Sequence, residues 1–222
     1  MILGIDEAGK GPVIGPLVIC GYCIEEKNIP ALRKLGVKDS KLLSPQKRQS
    51  IVERIKELST DFVVVKVDPK DIDEKRVYKK NFNTIEIEKI QEIIDMFEPK
   101  KVIVDAFEYN TEKFKEKIVS GIKSKPIVIA ENYADQKYII VSAASIIAKV
   151  ERDSEIEKLK KQCGYDFGTG YPSDPKTIEF LKEWFKNNSC FPAFVRKSWI
   201  TAKEIKNALL QKSVTEFKER GK

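Results

Sequence analysis

Residues 4–12 read Gly4-Ile5-Asp6-Glu7-Ala8-Gly9-Lys10-Gly11-Pro12, the end of a short apolar strand followed by two carboxylates and by glycines around a lysine. A carboxylate at the end of a buried strand is held rigidly, as a hard divalent cation requires of its ligands. Glycines let the backbone approach a ligand and present its N–H groups, and Lys10 adds a positive charge suited to a phosphodiester. The stretch therefore predicts a metal and phosphate site at this strand end.

The two carboxylates of this stretch are adjacent, so in a regular strand the side chains of Asp6 and Glu7 point to opposite faces. Both reach one site only if the strand breaks, which Gly9 and Gly11 allow. Glu7 alternatively contributes its backbone carbonyl. The sequence leaves these two arrangements open.

Two more carboxylates follow apolar segments. Asp105 ends the run Lys101-Val102-Ile103-Val104, and Asp135 follows the strand predicted at 126–130. A carboxylate at a strand end is costly to desolvate without a cation or donors beside it, which favours convergence on a metal. Each aspartate alone is also typical of a cap or a turn, and that interpretation stays open.

The composition narrows the chemistry that the chain can perform. None of its 222 residues is histidine, so Ser-His-Asp and Cys-His catalysis are excluded, and catalysis has to use carboxylates, lysine, tyrosine or a metal. The net charge of +7 favours an anionic partner, although a lysine-rich solvated surface explains it as well.

Cysteine usage and hydropathy favour a cytoplasmic protein. Four cysteines are few for a disulfide scaffold, and Cys20-x-x-Cys23 lies in a β-like run where residues three apart face opposite sides, which favours packing over zinc. The longest apolar stretch, 139–148, is too short to span a bilayer, and the expected first strand follows no secretory leader. We expect no membrane association.

Periodicity predicts a mixed sheet that carries helices. Strands are expected at 1–6, 17–24, 62–67, 101–105 and 126–130. Helices are expected at 45–58, 83–97, 111–119 and 138–163, and, after a turn-rich loop at 167–174, at 176–186 and 201–210.

The chain resembles type 2 ribonucleases H, that is, ribonuclease HII of the archaeal kind. The resemblance covers nearly the full length and rests on segments in one order. They are GIDEAGKGPVIGP at 4–16, VKDSKLLS at 37–44, VIVDAF at 102–107, ENYADQKYIIVSAASIIAKVERD at 131–153, GTGYPSD at 168–174 and VRKSW at 195–199.

The resemblance implies an α/β, ribonuclease H-like fold: a mixed five-stranded sheet flanked by helices, with a helical C-terminal extension. It implies a catalytic core over 1–165 and, over 166–222, a loop and helices that pack on the core and contact substrate, as one structural unit. The implied catalytic and metal-binding residues are Asp6, Glu7, Asp105 and Asp135, which hold two Mg²⁺ or Mn²⁺ ions.

The implied reaction is endonucleolytic cleavage of RNA in RNA–DNA hybrids and of duplex DNA on the 5′ side of embedded ribonucleotides. It leaves 3′-hydroxyl and 5′-phosphate ends and serves ribonucleotide removal and primer processing. A protein that kept the fold and the basic surface but only binds nucleic acid is the alternative from another class.

Several residues match family positions that contact the substrate. Gly9, Lys10 and Gly11 match the loop that reads the 2′-hydroxyl, where most members resemble Gly-Arg-Gly; lysine keeps the charge and loses the planar fork. Lys10 also resembles ribonuclease HIII, a hybrid-preferring alternative. Tyr171, which matches the tyrosine that stacks on the following deoxyribose, and the start of the chain at the first catalytic strand favour ribonuclease HII.

Further residues match segments near the nucleic acid: Lys38, Ser40, Lys41, Lys149, Arg152, Arg196 and Ser198. Lys149 and Arg152 share a helix face, and contact with phosphates or pairing with nearby carboxylates are both open. Trp199 is expected in the core rather than stacked on a base. Residues 211–218 resemble a sliding-clamp binding box in which Lys218 replaces the second aromatic, and a frayed terminal helix is the alternative.

Overall fold

The computed structural model describes residues 1–37, 43–78 and 80–220, with side chains as far as residue 211. Five strands in this part of the chain form one sheet in the order β3-β2-β1-β4-β5. They are β1 Ile2–Ala8, β2 Leu17–Ile24, β3 Asp61–Val67, β4 Lys101–Asp105 and β5 Ile127–Glu131. The mixed five-stranded sheet predicted from the sequence is confirmed.

The register of the sheet determines where its polar strand ends lie. β1 is antiparallel to β2, with Asp6 opposite Cys20, and parallel to β4, with Ile5 opposite Val104. β4 is in turn parallel to β5. Because β1, β4 and β5 run in one direction, their carboxyl ends meet at the same edge of the sheet.

The helices of the described residues are α1 Ile29–Lys34, α2 Pro45–Leu58, α3 Pro69–Val77, α4 Phe82–Phe97, α5 Thr111–Gly121, α6 Ala134–Lys137, α7 Ile139–Cys163, α8 Pro175–Asn188 and α9 Ile200–Arg220. Ser44 caps α2 as predicted, because its Oγ accepts the Lys47 N–H at 3.2 Å. None of these helices combines the length and apolar character needed to cross a bilayer.

The chain forms two compact units that interleave along the sequence. The first comprises residues 1–8, 17–66 and 81–153, and the second comprises 9–16, 67–80 and 154–222. The domain division predicted after residue 165 does not follow these units and stays a prediction.

The core of the first unit lies between the sheet and the N-terminal half of α7. Ala143, Ala144 and Ala148 are buried there together with residues of β1 and β2, so this helix packs through a face of small residues. A Cβ on Gly4 would lie 2.7 Å from the backbone carbonyl carbon of Ile140, so glycine permits the close approach of β1 to the helix.

The core of the second unit is rich in aromatic rings. Phe180 packs against Phe167 and Trp184 with ring centroids 5.4 and 5.5 Å apart. Val13 and Ile14 are fully buried in the same cluster, so the segment 9–16 belongs to this core. The glycine-rich loop is therefore anchored at its C-terminal end by apolar burial.

Candidate metal centre and nucleic-acid loop

Three carboxylates meet at the edge of the sheet where the parallel strands end. Asp6 near the end of β1, Asp105 at the end of β4 and Asp135 in α6 each offer an oxygen within 4.8 Å of the others. Asp6 and Asp135 are buried, and Asp105 is half-buried. The structure thus brings together three of the four predicted carboxylates, and their role as metal ligands stays a prediction.

The turn between β5 and α6 places Asp135 beside Asp105. Tyr133 adopts a left-handed backbone with φ of 59°, a conformation that non-glycine residues avoid. The next N–H, that of Ala134, donates to Asp105 Oδ1 at 2.8 Å. Asn132 Nδ2 donates to the Ala106 carbonyl at 2.6 Å and ties the same turn to the end of β4. Hydrogen bonds therefore support the strained turn on both sides.

Asp6 lies in a buried setting with compensating donors. Burial raises the pKa of Asp6, and the charge of Asp135 acts in the same direction, whereas Lys149, the Ser145 hydrogen bond and the Glu7 N–H oppose the rise. Lys149 Nζ in turn donates to Ser145 Oγ. A buried carboxylate needs such partners, and α7 supplies two of them one turn apart.

Glu7 occupies a different environment from its neighbour. β1 continues without a break to Ala8, so the break that would bring both side chains to one site does not form. Glu7 is half-buried, and within the described part of the chain its carboxylate lies outside the cluster of three. The part that Glu7 takes in the site stays a prediction.

The buried side chain of Arg196 holds the conformation of the glycine-rich loop, residues 9–16, within the second unit. Its side chain is fully buried and donates to the carbonyls of Gly9 at 2.6 Å, Lys10 at 3.0 Å and Gly15 at 3.0 Å. Arg196 is predicted near the nucleic acid, and its side chain lies in the interior, so a contact with substrate stays a prediction. Its planar fork satisfies three carbonyls of the loop that the sequence assigns to substrate recognition.

Trp199 joins this support from the other end of the VRKSW segment. Its Nε1 donates to the Gly11 carbonyl at 3.3 Å, and the guanidinium carbons of Arg196 and Arg76 lie 4.8 and 5.2 Å from its ring. Asp73 accepts the Ser198 N–H at 2.9 Å, which holds the backbone of this segment. Trp199 thus supports the loop and packs partly buried against the core of the second unit, and its expected place in the core rather than on a base stays a prediction.

Tyr171 is placed against the same loop. Its Cε1 lies 3.5 Å from the position that a Cβ on Gly11 would take, and 38% of the residue is exposed. The Gly170 carbonyl accepts the N–H groups of Val13 at 2.9 Å and Ile14 at 3.2 Å. The structure therefore brings together two of the predicted recognition elements, Gly11 and Tyr171.

The remaining predicted contacts differ in their setting. Arg152 is buried on α7, and its Nη1 lies 3.3 Å from Asp153 Oδ1, which is the carboxylate pairing that the sequence left open. Lys149 points toward Ser145, as described above. Lys38, Ser40 and Lys41 lie outside the described residues.

Sequence reasoning missed three supporting residues. Ser145 was not singled out, although its spacing of four from Lys149 on one helix face was a usable signal. Asn132 and Asp73 act on backbone atoms, and a backbone partner leaves no mark in the sequence. Such contacts emerge only from the folded chain.

Comparison with known proteins identifies the family to which the chain is similar in sequence. The family model described as Ribonuclease HII matches residues 3–202. Ribonuclease HII of Pyrococcus horikoshii is 46% identical over 216 residues, which cover 96% of each chain. The crystal structure of ribonuclease H2 from Pyrococcus horikoshii OT3 has a TM-score of 0.87 and 47% identity, covering 93% of this chain and 97% of that one.

A second solved structure is the PCNA:RNase HII complex from Archaeoglobus fulgidus. It has a TM-score of 0.83 and 45% identity, covering 92% of this chain and 96% of that one. Fold and site together define an enzyme of the ribonuclease H class, acting on RNA in RNA–DNA hybrids. The chain belongs to the ribonuclease HII family.

Proposed function

We propose that this ribonuclease H also incises duplex DNA on the 5′ side of single embedded ribonucleotides, with divalent metal, and that it serves ribonucleotide removal and primer processing. The observation that carries the metal part is the cluster of Asp6, Asp105 and Asp135, whose oxygens lie within 4.8 Å of one another. Oxygen-only ligands of this kind suit Mg²⁺ or Mn²⁺.

The three aspartates would hold the metal, with Glu7 as the fourth predicted ligand. When two ions are bound there, they would supply an activated water, a clamp on the scissile phosphate and stabilisation of the leaving oxygen. Ser145 and Lys149 hold the Asp6 carboxylate in place by hydrogen bond and charge. A chain without histidine has no imidazole for proton transfer, so this division of roles fits its composition.

Recognition of the ribonucleotide is assigned to the loop of the second unit. Gly11 lacks a side chain where the Tyr171 ring approaches, so a sugar can lie against both the loop backbone and the ring. An aromatic ring packed on a deoxyribose disfavours an additional hydroxyl, which supports a requirement for DNA after the ribonucleotide. Lys10 adds a charge for a neighbouring phosphate.

The direct test uses a DNA duplex with one ribonucleotide and, in parallel, an RNA–DNA hybrid, each with Mg²⁺ or Mn²⁺. We expect incision of the first substrate 5′ of the ribonucleotide, leaving a 3′-hydroxyl. Purified, folded protein that cleaves only the hybrid would overturn the proposal and favour a ribonuclease HIII-like preference. Tyr171→Ala should weaken junction incision more than hybrid cleavage.

Asp105→Asn separates the enzyme from a protein that only binds nucleic acid. The substitution removes a predicted metal ligand and keeps the shape, so we expect cleavage to fall by at least about a hundredfold while duplex binding is largely retained. A wild-type protein that binds the duplex but is as inert as the variant would support the binding-only alternative.

We also infer that the end of α9 binds a sliding clamp. Support comes from the likeness of residues 211–218 to a clamp-binding box and from the Archaeoglobus fulgidus relative, which was solved with PCNA. Calorimetry of the full chain with the sliding clamp of the same cell should show binding that Phe217→Ala removes. Equal binding by wild type and variant would contradict this assignment.

A further inference from the structure

The glycine-rich turn before Tyr171 is held by one buried hydroxyl. Thr177 lies in the first turn of α8 and is fully buried. Its Oγ1 accepts the Gly170 N–H at 3.1 Å and donates to the Phe167 carbonyl at 2.8 Å. One side chain thus satisfies a donor and an acceptor of the loop, both of which would otherwise be buried without a partner.

Hydrogen bonds restrain the peptide groups on both sides of Gly170. Its N–H is fixed by Thr177, and its carbonyl accepts from Val13 and Ile14 of the glycine-rich segment. Gly168 and Gly170 have φ angles of 72° and 81°, so the turn uses a backbone that other residues seldom adopt. The position of Tyr171, the next residue, follows from this arrangement.

Thr177 differs from the other support of the loop. Asp174 accepts the Thr169 N–H at 2.8 Å from a half-buried position, where water competes for the same bond. Arg196 holds the opposite segment through Gly9, Lys10 and Gly15. Thr177 alone among these three fixes the residue directly before Tyr171 from within the core.

We propose that Thr177 is a positioning residue for substrate selectivity: through Gly170 it sets the Tyr171 ring against Gly11 and so determines the preference for a ribonucleotide followed by DNA. The proposal rests on the role given to Tyr171 in the proposed function. Thr177 acts through the loop and touches no substrate.

The test measures kcat/KM on the single-ribonucleotide duplex and on the RNA–DNA hybrid, and takes their ratio. Thr177→Val keeps the shape and removes the hydroxyl, and we expect the ratio to fall about tenfold, the effect of losing one buried hydrogen bond at the loop. Thr177→Ser restores the hydroxyl and should return the ratio to near the wild-type value. All assays use a temperature at which circular dichroism shows each variant folded.

Tyr22→Phe is the matched control for lost stability. The Tyr22 hydroxyl donates to the Ile55 carbonyl at 2.9 Å inside the first unit, so its loss also removes one buried hydrogen bond. We expect a lower melting temperature with an unchanged ratio. Should this control lower the ratio as much as Thr177→Val, the effect would be general destabilisation and the proposal would be overturned.

A double variant separates the proposal from the function on which it rests. If Thr177 acts through Tyr171, adding Thr177→Val to Tyr171→Ala should not lower the ratio further. A ratio that falls with Tyr171→Ala but is unaffected by Thr177→Val overturns the positioning role alone. A ratio unaffected by Tyr171→Ala contradicts the recognition role of the tyrosine and, with it, this proposal.

Discussion

At the scale of single residues, the glycine-rich loop depends on one buried side chain and one half-buried side chain. Arg196 satisfies three loop carbonyls with one buried guanidinium, and Trp199 adds a hydrogen bond to Gly11. A buried carbonyl that loses its hydrogen-bond donor destabilises the folded state. This arginine therefore contributes both to the loop conformation and to the stability of the second unit.

Substitution of Arg196 tests this link. Arg196→Lys keeps the charge but cannot serve three acceptors in a plane, and Arg196→Gln also loses the charge. We expect Arg196→Gln to lower the free energy of unfolding by about 2–4 kcal/mol and Arg196→Lys by less. Urea denaturation followed by circular dichroism measures both, and two variants as stable as wild type would contradict the role of the buried fork.

Lys10 is a second test at this scale. Arginine at this position would restore the planar fork that the family pattern favours and could engage a phosphate with two hydrogen bonds. We expect Lys10→Arg to tighten binding of the single-ribonucleotide duplex by about two- to fivefold, or up to 1 kcal/mol. Fluorescence anisotropy in the Asp105→Asn background, in which cleavage is expected to be lost, measures the change, and Lys10→Gln should weaken binding.

At the scale of elements, β1 and α7 approach each other closely, backbone to backbone. A Cβ on Gly4 would lie 2.7 Å from backbone atoms of Ile140, and backbone cannot move aside as a flexible side chain can. We expect Gly4→Ala to cost about 1–3 kcal/mol of stability. Gly11→Ala is the control, because its Cβ would meet only the Tyr171 ring at 3.5 Å; thermal melting compares the two.

In the loop between α7 and α8, the carboxylate of Asp166 makes the stability of the protein depend on pH in the acid range. A hydrogen bond from Lys176 holds the pKa of Asp166 below its usual range, with the Gly168 N–H and Lys160 acting in the same direction. A lowered folded-state pKa contributes stability above the unfolded value of about 3.9, and this contribution is lost as pH falls below it. Solvent and salt screen the exposed carboxylate.

Asp166→Asn should therefore flatten the dependence of melting temperature on pH below about pH 4. The effect should shrink in a Lys176→Gln background, since the main cause of the lowered pKa is then absent. An unchanged slope in Asp166→Asn would show that this carboxylate does not contribute to acid sensitivity.

The elements also show what the sequence predicts and what it does not. The bounds of β2, α2 and β4 are confirmed as predicted, because their hydrophobic periodicity and caps are strong. The helices α1, α3 and α6 were not predicted, since six, nine and four residues leave little periodicity to detect. Convergence of the three aspartates followed from their positions at or after strand ends, whereas the support that Arg196 gives to the loop could not be predicted because its partners are backbone carbonyls.

At the scale of the whole molecule, the net charge of +7 bears on how strongly nucleic acid is held. Neutralising phosphates releases counterions, so we expect binding of the hybrid by the Asp105→Asn protein to weaken by at least about tenfold from roughly 50 to 200 mM salt. In a plot of the logarithm of the binding constant against the logarithm of salt concentration, Lys149→Gln should reduce the slope by about one if this lysine contacts a phosphate. Lys89→Gln on α4, paired with Glu92 at 2.7 Å, should leave it unchanged.

The central place of β1 has a consequence for the synthesis of the chain. β1 pairs with β2, its neighbour in sequence. Its other edge pairs with β4, which is synthesised about a hundred residues later. Such distant pairing slows folding and leaves a strand edge exposed meanwhile. The cluster of aspartates is complete only once Asp135 has left the ribosome, so a shorter nascent chain carries no assembled carboxylate cluster.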